Sequence, residues 1–108
     1  MMQVNEIQRH FSNIERSVDQ VTQACRSERN IPQDLQECVQ QLDRQTEQAR
    51  QVLQSQDESR IRQCIDNLEQ ISDRAEHAIE RANDLDDGVK RAVMQAHSEL
   101  SSLKHQLH

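Results

Sequence analysis

The chain has 108 residues and a formal charge of −6, with 30% charged residues, one Gly, one Pro, a single aromatic (Phe11) and neither Trp nor Tyr. So little turn chemistry and so few aromatics argue against sheets, barrels and loop-built sites, and the length suits one domain over residues 1–108. The 13 basic residues are scattered rather than clustered, which argues against a nucleic-acid partner, because such binding rests on grouped Lys and Arg neutralising phosphates.

Apolar residues recur at alternating steps of three and four in four consecutive stretches. That spacing keeps one narrow stripe of a helix turned toward a neighbouring helix. The first stretch, Val4, Ile7, Phe11, Ile14, Val18, Val21 and Cys25, predicts a helix from about Gln3 to Arg29. Asn30-Ile31-Pro32 ends it, because Pro lacks an N–H and pushes the residue before it out of helical backbone. Pro is also tolerated at a first helical position, so the second helix is expected to start at Pro32, with Ile31 stapled onto its first turn. So short a connection makes the two helices antiparallel neighbours.

The second stretch carries Leu35, Val39, Leu42, Thr46, Ala49 and Leu53, with the Thr46 hydroxyl placed on the seam. At Ser55-Gln56-Asp57-Glu58 a capping box, Ser followed three residues later by Glu, predicts a turn before periodicity restarts at Ile61. The alternative runs helices 2 and 3 together as one rod through a phase slip at Leu53, Asp57 and Ile61, flanked by helices 1 and 4 and closed by a second copy. The third stretch has Ile61, Cys64, Leu68, Ile71, Ala75, Ala78, Ala82 and Leu85, widened by Ile65 and Ile79. It is expected to stop in Asn83-Asp84-Leu85-Asp86-Asp87-Gly88, with Gly88 as a left-handed cap and Asp86 or Asp87 capping the fourth helix. That helix has Val89, Val93, Ala96, Leu100, Leu103 and Leu107. A faint likeness at an offset of 26, Cys38-Val39-Gln40-Gln41-Leu42-Asp43 against Cys64-Ile65-Asp66-Asn67-Leu68-Glu69, is what shared heptad spacing produces by itself.

Four groups of residues have the types that chemistry needs. The five histidines, His10, His77, His97, His105 and His108, include no Glu-x-x-His motif of the kind that builds a metal site inside a bundle, and Glu6/His10 and Asp73/His77 are spaced only for surface pairing. The Asp-rich turn fails as a calcium loop: setting Gly88 sixth puts Asn83, Leu85 and Asp87 at the first, third and fifth positions and Met94 where the bidentate Glu belongs. Cys25, Cys38 and Cys64 are an odd count without a C-x-x-C pair, read as small buried hydrophobes, with Cys25 and Cys64 on the seams and Cys38 beside one. Cys25 and Cys38 fall level across the first turn with His97 directed toward them, the one thiol–imidazole grouping the topology suggests. Residues 66–87 hold eight carboxylates against Arg74 and Arg81, the whole of the net charge, a run expected to form a solvated helix face, with an acidic docking patch for a basic partner as the alternative.

The expected architecture is therefore an all-α, up-down-up-down four-helix bundle with coiled-coil-like heptad seams. We expect no enzyme, no catalytic, cofactor-binding or metal residues, and no small-molecule substrate. The expected function is a non-catalytic protein–protein interaction or scaffolding module that binds a partner helix or pairs as a homodimer. The homodimer is expected because the helix 1 stripe is narrow and would be covered by a second copy. A small secreted effector or a secretion-associated helical protein is the alternative. The start Met-Met-Gln-Val-Asn-Glu has neither a basic nor an apolar leader segment, and no stretch of about 18 apolar residues occurs, so a cytoplasmic, non-membrane protein is expected. With Arg outnumbering Lys 11 to 2, a GC-rich bacterial source is expected.

Overall fold

The computed structural model describes residues 3–28, 30–82 and 84–107. Four helices run through them: α1 (Val4–Ser27), α2 (Gln33–Ser55), α3 (Glu58–Arg81) and α4 (Asp87–Leu107). Each packs mainly on two others, α1 on α2 and α4, and α3 on α2 and α4, so the chain makes an up-down-up-down bundle 41 Å long and 21 by 18 Å across. The continuous rod is not formed. Among the described residues there is no strand, and no helix is long and apolar enough to cross a membrane.

The seams meet inside one chain. Ile7, Phe11, Ile14, Val18 and Val21 of α1 pack with Leu35, Leu42, Ile61, Leu68, Val89 and Leu100 in a single core, all at 2% exposure or less. The narrow α1 stripe is buried, chiefly against α2 and α4, so the open edge from which pairing was expected does not exist. Thr46, the hydroxyl on the α2 seam, is 5% exposed and donates to the Leu42 carbonyl at 2.6 Å, which removes the cost of burying it unpaired.

The ends of the helices differ from the expected boundaries in ways the backbone explains. α1 stops at Ser27, with Glu28 in extended backbone as its C-cap; Arg29 lies outside the described residues. Pro32 precedes α2 rather than opening it: at φ −56° and ψ 145° it is the N-cap, and its carbonyl accepts the first helical bond from the Gln36 amide. Ile31 is buried, as the staple requires. At the α2/α3 turn, Gln56 adopts the left-handed region with φ 60°, and the Asp57 carboxylate accepts from the amides of Ser59 and Arg60. Asp57, not Ser55, is therefore the N-cap; Ser55 instead donates from its hydroxyl to the Val52 carbonyl and accepts from the Asp57 amide.

The α3/α4 connection also departs from expectation. α3 ends at Arg81 with Ala82 extended, and Gly88 has no positive φ. It sits in the first turn of α4, where its amide donates to Asp86 Oδ2 at 2.9 Å, and a Cβ at Gly88 would lie 2.8 Å from that oxygen. Gly88 thus lies in the first turn of α4 beside the Asp86 cap instead of ending α3, and a side chain there would require the Asp86 carboxylate to shift. Asn83 lies outside the described residues.

Candidate functional site

α4 turns a different chemistry to each of its neighbours. Val89, Val93, Ala96, Leu100 and Leu103 face the core, and the helical period places His97 on one flank of that stripe and Glu99 on the other.

The His97 flank packs on α3. Its ring is 19% exposed, with Nδ1 2.6 Å from Glu76 Oε2 and Nε2 3.6 Å from both Glu69 Oε1 and Asp73 Oδ1. Nε2 is buried and makes no hydrogen bond. Glu69 also accepts from Ser101 Oγ and Lys104 Nζ, each at 3.4 Å. Three members of the acidic run, at steps of four and three along α3, thus join α3 to α4 through His97 and Lys104. Glu69 and Glu76 belong to a packed polar seam rather than the solvated face expected for them, whereas the Asp73 side chain is half exposed and Glu80, Asp84, Asp86 and Asp87 are exposed. Other pairs tie α2 to its neighbours, Arg50 to Glu15 of α1 at 2.6 Å and Arg81 to Asp34 at 2.8 Å.

The Glu99 flank packs on α1. Ser17, 2% exposed, donates to Glu99 Oε1 at 2.9 Å, and Gln95 Nε2 donates to the same oxygen at 3.2 Å, leaving Glu99 Oε2 buried without a partner. Above them the two helices form an open polar groove of about 530 Å³, lined by His10, Asn13 and Arg16 of α1 and by Gln95, Ser98 and Ser102 of α4.

The third side of α4 faces outward. Arg91, Met94, Ser98, Ser102 and His105 are all exposed and continue from the groove. Met94, at 55%, is the one large hydrophobic residue exposed among the described residues. After Asp87 the chain contains a single side-chain carboxylate, Glu99, and that one is turned toward α1. On a molecule of net charge −6, this face carries no outward side-chain carboxylate. Its residues recur in threes and fours, a second heptad-like stripe in small, polar and basic side chains. The apolar pattern dominates α4, and this quieter stripe emerges only once the outward direction is known.

The thiols do not form the grouping suggested by topology. Cys25 lines a groove between α1 and α2 with Gln36 and Val39, Cys38 lines one between α2 and α3 with Arg74 and Arg81, and His97 is held by carboxylates. All three are free. Cys38 is buried whereas Cys25 and Cys64 are only half-buried, the reverse of their seam assignment; on α3 it is Ile65, 1% exposed, that fills the seam beside Cys64. Burial pushes all three thiols up from the ordinary value, with Arg74 partly opposing this at Cys38. Such thiols are poor nucleophiles. His77 lies 3.5 Å from Asp73 on the surface, as its spacing suggests, whereas Glu6 and His10 form no ion pair among the described residues. Among the described residues no three His, Cys, Asp or Glu side chains are grouped to hold a metal ion. His108 lies outside the described residues. No family model, curated protein or solved structure matches the chain.

Proposed function

We propose that the protein is a non-catalytic helical interaction module that docks a helix along the outward face of α4 and its groove with α1. The observation that carries this reading is the stripe Arg91, Met94, Ser98, Ser102 and His105, which combines an exposed methionine, small serines and freedom from outward carboxylates on an otherwise anionic bundle. Small residues let a second backbone come close, and an adaptable methionine packs into irregular gaps. A cytoplasmic setting in a bacterial cell fits the three free thiols, since a reducing compartment keeps cysteines in that form.

A pull-down from the source organism with the wild-type chain and the Ser98→Glu variant, read by mass spectrometry, tests the surface. The expected result is at least one protein retained by the wild type and lost with the variant, both chains having the same helical spectrum. An identical set of co-purifying proteins would contradict the assignment.

A further inference from the structure

The turn between α2 and α3 is the one connection that no buried residue ties to the core. We infer that it is a hinge through which two copies of this chain exchange halves, the α1–α2 hairpin of each closing on the α3–α4 hairpin of the other. This goes beyond the α4 surface proposed above and does not rest on it.

The three connections differ in how they are anchored. Between α1 and α2, Pro32 fixes its own backbone and Ile31 is buried; between α3 and α4, Leu85 is buried. Between α2 and α3 only Gln56 and Asp57 intervene, and every residue from 54 to 60 is exposed. Gln56 is the one non-glycine residue at positive φ among the described residues, a conformation that disfavours a side chain. No Gly or Pro lies between Pro32 and Gly88, so nothing in the covalent chain forbids helix through the turn. Leu53, Asp57 and Ile61, each four residues apart, mark a helical path with a phase slip that local unwinding absorbs. A short, strained hinge of this kind is what favours exchange between copies.

Packing supplies the interface. The two hairpins meet along α2/α3 and along α1/α4, with Val18, Val21, Leu42, Leu68 and Leu100 in one core. Across these lines Ser17 donates to Glu99, Arg74 to Gln41 and Arg81 to Asp34. An exchanged pair remakes all of these contacts in each of two bundles, so it buries a whole core and needs no patch on the exterior. The difference from two separate molecules lies at the hinge, where α2 and α3 run on as one helix in each copy. Relief of the Gln56 backbone favours that state. Loss of the Asp57 cap on the Ser59 and Arg60 amides opposes it, as do the lost freedom of one molecule and the approach of the two Asp57 carboxylates near the twofold axis. The dilute chain is therefore a closed monomer, and exchange belongs to high concentration.

Refolding the full chain from urea at about 10 µM and at about 1 mM tests this, with the products separated by size-exclusion chromatography and read by light scattering and small-angle X-ray scattering. The dilute wild type should be a 12.6 kDa monomer, and the concentrated sample should add a species of twice that mass whose longest dimension is about twice the 41 Å of one bundle. Asp57→Ala removes a cap that only the turn uses and favours helix, so it should raise the dimer share severalfold at an unchanged circular dichroism spectrum. Gln56→Gly suits the left-handed turn and disfavours helix, so it should reduce the dimer share severalfold. If the wild type and Asp57→Ala both stay at 12.6 kDa at the higher concentration, the exchange is overturned. A dimer no longer than one bundle, or one that Gln56→Gly forms as readily as the wild type, overturns it equally.

Discussion

Phe11 and Leu68, at 1% and 0% exposure, sit where removing side-chain volume leaves a void that rigid neighbouring helices only partly refill. Phe11→Ala and Leu68→Ala are each expected to cost about 2–5 kcal/mol in urea denaturation, whereas Gln48→Ala, on the exposed side of α2, should change stability by less than ~0.5 kcal/mol. Equal effects at all three positions would mean that the core has been placed on the wrong faces. The thiols give a second residue-scale test. Only the thiolate reacts, and burial raises the thiol pKa of Cys25, Cys38 and Cys64, so at neutral pH each holds less thiolate than a free cysteine. Their labelling by a disulfide reagent should therefore keep rising with pH beyond the range in which a free thiol levels off, with the buried Cys38 slowest and the half-buried Cys25 and Cys64 faster. A fast Cys38 would contradict its placement.

Among the helices themselves, two adjacent residues decide whether α2 and α3 are separate. Gln56 holds a left-handed conformation that suits glycine better, so Gln56→Gly should stabilise the fold by up to ~1 kcal/mol. Asp57→Ala removes the acceptor for two amides at the start of α3 and should cost about 1 kcal/mol, with Asp57→Asn recovering most of it. Thermal or urea unfolding reads both; a destabilising Gln56→Gly would speak against the turn. This junction also shows what sequence can convey. The positions of all four helices were legible because a three-and-four apolar spacing has one simple realisation, and Pro32 punctuates the first turn. The caps were less legible, because Ser55, Asp57 and Glu58 each have the chemistry to cap and only backbone geometry selects Asp57. Gly88 misled for a related reason: glycine favours positive φ, yet here it has none and lies in the first turn of α4 beside the Asp86 carboxylate. The candidate surface was the least legible part. Its residues are common exposed types, and Met94 and Ser98 gain meaning only from facing outward while Glu99, one step further on, turns toward Ser17.

Across the bundle as a unit, the four stripes cover one another within a single chain, which leaves the exterior for any partner. The ring of packing, α1 to α2 to α3 to α4 and back to α1, fixes which side of α4 points outward. Its two polar flanks are committed, His97 to Glu69, Asp73 and Glu76, and Glu99 to Ser17, which leaves the Met94–Ser98–Ser102 face as the uncommitted one. A chain that is helical in every described segment apart from three short connections should give a circular dichroism spectrum of at least ~80% helix, and a value near half would contradict the bundle.

Everything proposed for α4 depends on α2 and α3 turning back on each other, so that one chain closes its own core and α4 is left to present its outer side. Small-angle X-ray scattering extrapolated to zero concentration distinguishes this shape from the rod. A closed bundle has a Cα radius of gyration of 13.6 Å and should scatter with a value slightly above this once hydration is included. A continuous α2–α3 helix would extend for about 70 Å at ~1.5 Å per residue, giving a radius of gyration of roughly 20 Å or more, and that result would contradict the closed bundle.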